Sequence, residues 1–148
     1  MKEERAFTLT EILVVIGVIF ILISIGVPVF RAYRPGLQLS GSSRELITDM
    51  RYAQQMAVTE QIDHGIRFFV DEDKYQIIRY APEEEILKEK NLPPEVSFQQ
   101  INDLTDDRAL FNPYGALKNE AGSITMVNTA NESIIIDIRP SGFVKIIK

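Results

Sequence analysis

The chain has 148 residues, a formal charge of -5 and no cysteine. Interspersed acids and bases argue against an extended surface for nucleic acid or anionic lipid, and the lack of thiols excludes disulfides and thiolate metal sites. Its length suits one domain with a modest core beside one long apolar segment.

That segment comes first. From Phe7 to Phe30, Glu11 is the sole ionisable side chain. As a helix at about 1.5 Å per residue the run reaches roughly 36 Å, enough for a hydrocarbon core of ~30 Å. It is apolar all round, so lipid or an equally dry protein environment must cover it. A plain anchor tolerates Glu11, because a charge costs about 2.5–3.5 kcal/mol at mid-bilayer and less towards an end; nothing in an anchor requires it. A secretory signal peptide would use Ile12 to Ile23 as its apolar core and Ser24-Ile25-Gly26 before a cut. Against that stand Glu3 and Glu4 in the leading residues and apolar character continuing to Phe30. Lys2 and Arg5 are balanced by Arg31 and Arg34, so flanking charge leaves the orientation open.

A third reading comes from the segment Ala6-Phe7-Thr8-Leu9-Thr10-Glu11-Ile12-Leu13. It resembles the processing motif of type IV pilins and of the pseudopilins of type II secretion: a small residue before the cut, phenylalanine after it, and glutamate shortly into the mature chain. The resemblance implies a leader, residues 1–6, removed by prepilin peptidase between Ala6 and Phe7, with methylation of the new Phe7 amine. It also implies a single-pass protein of the bacterial inner membrane. Residues 7–30 would lie in lipid, with the head in the periplasm or otherwise outside the cytoplasmic membrane. Other pilin or pseudopilin subunits and an inner-membrane assembly platform are the implied partners. Glu11 would pair with the Phe7 amine of a neighbouring subunit in the filament core, where an unpaired charge is costly, and so set the register of assembly.

Pro28 lies within the apolar run and is expected to bend the helix. Arg34-Pro35-Gly36 is expected to end it, which divides the chain into a helix over 7–35 and a head over 36–148. Ser42-Ser43-Arg44-Glu45 has the form of a capping box opening a second helix, whose face Leu46, Met50, Ala53 and Ala57 packs on a sheet. Ile66–Val70 and Tyr75–Tyr80 form a hairpin around Asp71-Glu72-Asp73. Glu83-Glu84-Glu85 reads as a solvated loop or helix start. Further strands are expected at Val96–Ile101, Ser123–Val127, Ser133–Ile138 and Phe143–Ile147, and their local connections make the sheet antiparallel. The expected class is α+β.

This order of elements, with Leu110-Phe111-Asn112-Pro113-Tyr114-Gly115 and Pro140-Ser141-Gly142-Phe143 between strands, resembles the heads of H-class minor pseudopilins and related minor pilins. The pilin-like fold and a structural role in a secretion pseudopilus or type IV pilus follow as expectations. The alternatives are a membrane-anchored or secreted binding module that never polymerises, and a minor pilin that takes up DNA through Arg139, Lys145 and Lys148. Three basic side chains on an acidic protein disfavour nucleic acid. His64, the single histidine, has no evident partner for nucleophilic catalysis or zinc and suits a turn or cap. Asp103, Asp106 and Asp107 match no calcium loop. No catalytic residue, cofactor or metal site is expected, and the protein reads as something other than an enzyme.

Overall fold

The computed structural model describes residues 8–80, 82–118 and 121–147. One helix, α1, runs Leu9–Glu60. The strands follow as β1 (Asp63–Phe69), β2 (Lys74–Tyr80), β3 (Glu84–Asn91), β4 (Val96–Asn102), β5 (Arg108–Phe111), β6 (Gly122–Asn128), β7 (Ser133–Ile138) and β8 (Val144–Ile147). The chain divides into two compact units between Arg34 and Pro35.

The α+β class and the antiparallel strands are as expected; the separate second helix is not. Its residues continue α1, which passes through Pro35 and Gly36 without ending. Proline removes one backbone donor at a cost of about 3 kcal/mol. Tertiary packing of the residues beyond outweighs that loss, since Leu39, Leu46, Met50, Ala53 and Ala57 are all buried. Ser42-Ser43-Arg44-Glu45 therefore caps nothing. The buried Ser43 hydroxyl donates to the Leu39 carbonyl one turn back, at 2.7 Å, and Glu45 turns to Lys90.

The strands form two four-stranded antiparallel sheets, ordered β3-β2-β1-β5 and β4-β6-β7-β8. Leu92-Pro93-Pro94 separates them; two successive prolines without donors cannot extend a ladder. The expected hairpin is present in register, Phe69 opposite Lys74 and Asp63 opposite Tyr80. Two strands depart from the sequence reading. Glu84–Asn91 is a strand and not a loop or helix start. It escapes the alternation test because Glu84 to Glu89 are exposed on both faces, so backbone pairing with β2 holds it with little inward burial. β5 is only four residues long, with Ala109 and Phe111 inward.

The inner faces of both sheets and the buried stripe of α1 share one cluster, reaching in sequence from Leu39 to Val144. Ile66, Phe68 and Ile77 come from the first sheet; Phe98, Ile124, Met126, Ile136 and Ile138 come from the second. Phe68 meets Phe98 edge-on, ring centroids 5.6 Å apart, and so joins the sheets. Asp73, left-handed at φ 48°, adds a polar tie: its carboxylate accepts from the Phe98 N–H at 2.9 Å, and its carbonyl accepts from the Leu92 N–H at 2.8 Å. Residues 35–148 thus carry a complete core and both sheets, the requirements for independent folding.

Two Pro-X-Gly turns close the structure beside α1. Gly115 donates to the Asn112 carbonyl and Gly142 to the Arg139 carbonyl, each at 2.8 Å, and both glycines have φ of +79°. Gln54 of α1 donates to the Gly115 carbonyl at 2.6 Å. A Cβ on Gly142 would collide with that same carbonyl oxygen and with the Gln54 amide. Gly142→Ala combines an unfavourable backbone with a collision against main chain, and is expected to cost about 2 kcal/mol. Urea unfolding of residues 36–148 would read the loss; an unchanged midpoint would show that the turn can shift freely.

Candidate assembly site

Ala6 and Phe7, the expected processing and methylation residues, lie outside the described residues. The next residues show how the helix begins. Thr8 occupies the N-cap position: the Glu11 N–H donates to the Thr8 hydroxyl oxygen at 3.3 Å, and the Glu11 and Ile12 N–H groups lie 3.1 and 3.3 Å from the Thr8 carbonyl. Thr8-Leu9-Thr10-Glu11 therefore has the capping-box spacing, with Glu11 at the third helical position. Its carboxylate also lies at the positive end of the helix dipole. Sequence reasoning found such a box at Ser42, where it is not used, and missed this one, although the threonine and glutamate stand three apart.

Beyond Glu11 the helix presents apolar side chains in every direction. Leu9, Phe20 and Phe30 are 83%, 72% and 65% exposed, and the large apolar residues between them are exposed as well. Among the described residues, α1 is the helix long and apolar enough to cross a membrane. Pro28 lies in its interior, where it cannot donate to the carbonyl of Ser24. The Ser24 hydroxyl donates to the Phe20 carbonyl at 2.7 Å, so this turn already mixes side-chain and backbone bonding.

The polar groups of the head are used structurally. His64 is fully buried in β1; its Nδ1 lies 3.0 Å from the Ile62 carbonyl oxygen and its Nε2 3.4 Å from the Glu60 carboxylate. Glu60 also receives Arg79 at 2.9 Å, so these three side chains tie the end of α1 to β1 and β2. Asp49 of α1 accepts from the Tyr75 hydroxyl at 2.6 Å and pairs with Lys90 of β3 at 2.7 Å. Burial, then the Asp49 carboxylate, push the Tyr75 hydroxyl far above the ordinary tyrosine range. For Lys90, burial is the largest single influence and acts downward, but hydrogen bonds to Asp49 and Glu45 reverse it and raise the ammonium.

Asp103, Asp106 and Asp107 take left-handed backbone at φ 59°, 54° and 51°, a conformation aspartate tolerates better than most residues. Among the described residues no group of three or more His, Cys, Asp or Glu side chains is gathered to hold a metal ion. Arg139 stacks over Phe143 at 5.9 Å with Asp137 at 3.8 Å, while Lys145 stands opposite Asp137 in the sheet. The acid lies among the bases, and Lys148 falls outside the described residues.

An apolar helix exposed on every side suits anchoring and packing, and the head is a closed pair of sheets with its own core. A family model described as type II transport protein GspH matches residues 42–142. The chain belongs to the GspH family. Its fold is that of pilin-like proteins, and its function is that of a structural subunit of a pseudopilus or pilus. The minor pseudopilin EpsH from the type 2 secretion system of Vibrio cholerae is 9% identical with a TM-score of 0.62, covering 74% of this chain and 96% of that one. The type IV minor pilin FimU of Pseudomonas aeruginosa is 13% identical with a TM-score of 0.61, covering 74% of this chain and 88% of that one. At such identities these likenesses speak for the fold. No curated protein matches the chain.

Proposed function

We propose that this GspH-family subunit is made with a leader, residues 1–6, which prepilin peptidase removes between Ala6 and Phe7 at the cytoplasmic side of the bacterial inner membrane. The Phe7 amine is then methylated. The helix first anchors the protein in lipid, with the head beyond the membrane, and later packs among the helices of other pilin or pseudopilin subunits on an inner-membrane platform. Pro28 gives that helix a bend at which its backbone bonding is interrupted.

The observation that carries this reading is the apolar surface of Leu9 to Phe30, exposed on every side and bearing one carboxylate near its start. Lipid satisfies the apolar surface in the anchored state. Packed neighbours satisfy it in a filament, where a cation of another subunit offsets the cost of taking the carboxylate out of water.

Intact mass and N-terminal sequencing of protein from membranes with and without prepilin peptidase test the processing step. The expected product begins at Phe7, carries one added methyl group and depends on the peptidase. A chain retaining Met1, or one beginning near Val27, would overturn the reading in favour of a plain anchor or a secreted domain.

A further inference from the structure

β3 is the terminal strand of its sheet, and Glu84 to Glu89 are exposed along its length. Such an edge presents a row of unpaired backbone N–H and C=O groups, the template for adding another strand. Two apolar side chains stand at its centre, Ile86 at 53% and Leu87 at 38% exposure. Three acids precede them, Glu83, Glu84 and Glu85, and two bases and one acid follow, Lys88, Glu89 and Lys90. This edge is charged oppositely about its own midpoint.

We propose that the free edge of β3 is a docking surface for a second copy of this chain, the two strands pairing antiparallel about a twofold axis between Ile86 and Leu87. An isologous contact requires a self-complementary patch, and this register supplies one. Ile86 comes opposite Leu87 of the copy, and Glu85 opposite Lys88 of the copy, each contact occurring twice.

The side-chain faces agree with this register. Within the sheet Glu85 stands opposite Arg79 and Lys88 opposite Ile77, with an irregularity between Ile77 and Ile78 that leaves Leu87 as the extra residue. Arg79 and Ile77 are two apart in β2 and share a face, so Glu85 and Lys88 share one too, as opposed residues of an antiparallel pair must. The bulge is what permits this, because residues three apart in a regular strand point to opposite faces. The register also sets Glu84 opposite Glu89 of the copy. Those like charges are held within their own chain: Glu84 pairs with Arg67, and Glu89 accepts from the Gln76 amide and lies 3.9 Å from Lys74.

Because the chain has no cysteine, crosslinking has no background. Full-length Ile86→Cys and Leu87→Cys chains with different tags are mixed in detergent micelles and oxidised, and the doubly tagged dimer is measured. It is expected to exceed the dimer from Ile86→Cys mixed with Asn91→Cys. Adding Glu85→Lys to both chains turns two attractions into repulsions and is expected to lower the yield about tenfold; adding Lys88→Glu as well is expected to restore it. Circular dichroism verifies that each variant is folded. Equal yields at both cysteine positions, a yield indifferent to charge, or no dimer from folded chains would overturn the proposal. So would capture of these cysteines by a different subunit in membranes. The contact does not depend on leader removal, so its failure leaves the processing route intact.

Discussion

Glu11→Ala is expected to leave cleavage after Ala6 intact and to abolish incorporation into filaments. Cleavage acts at a bond five residues away and needs no charge at this position. Assembly, on the reading proposed above, buries the Phe7 amine of one subunit in a dry helix core, and removing its carboxylate leaves that charge without a partner. Breaking a buried pair from one side costs about 3–5 kcal/mol, which is roughly a 150-fold to 4,000-fold loss in an association constant. The helix cap offers a rival explanation, because the Thr8 hydroxyl and the Glu11 N–H make one half of a capping box. Glu11→Gln separates the two: glutamine serves at the third helical position of such a box but carries no charge. Filament yield from sheared cells, with leader removal followed by mass, is the measurement. If Gln assembles as the wild type does, the pairing argument fails and the cap is the reason for Glu11; if Gln fails as Ala does, the charge is.

Legibility of this chain depended on how each element is stabilised. The apolar stretch was plain because no short chain could bury it, and the face Leu46, Met50, Ala53 and Ala57 was plain because a helix half buried against a sheet must repeat at helical spacing. β6 and β7 announced themselves by alternation, with Ile124, Met126, Ile134, Ile136 and Ile138 inward. Elements held by other means stayed hidden. Continuation through Pro35 and Gly36 depends on packing by residues farther along, which local breaker chemistry does not register. β3 has no buried face to write a pattern into its sequence, and β5 is too short to show one. At the start of the helix Thr8 was legible in principle, since its spacing to Glu11 is the same one read at Ser42. The cluster of Asp49, Tyr75 and Lys90 was beyond reach, because its members come from α1, β2 and β3 and meet only once the sheet is laid on the helix.

That cluster bears the largest expected effect on stability of the head. Asp49→Ala removes the acceptor of the buried Tyr75 hydroxyl and one of the two carboxylates that hold Lys90. An orphaned buried hydroxyl and a weakened ion pair together are expected to cost about 3 kcal/mol, a fall of roughly 10–15 °C in Tm for a domain of this size. Tyr75→Phe in the same background removes the orphan, so the double variant should lose less than the sum of the single losses; strict additivity would show that the hydrogen bond contributes nothing of its own. The pH dependence has a definite sign. Both groups bind their protons more tightly in the folded head than at their ordinary values of 10.0 for tyrosine and 10.5 for lysine. Their contribution is therefore fully present below about pH 10 and is lost as pH rises from there, where the unfolded chain releases protons that the folded head retains. Asp49→Ala should make this alkaline decline shallower without flattening it, because burial still raises Tyr75 and Glu45 still holds Lys90. Urea unfolding of residues 36–148 across the alkaline range, wild type against variant, would reveal the difference in slope, and parallel curves would mean that Asp49 does not set the protonation of its neighbours.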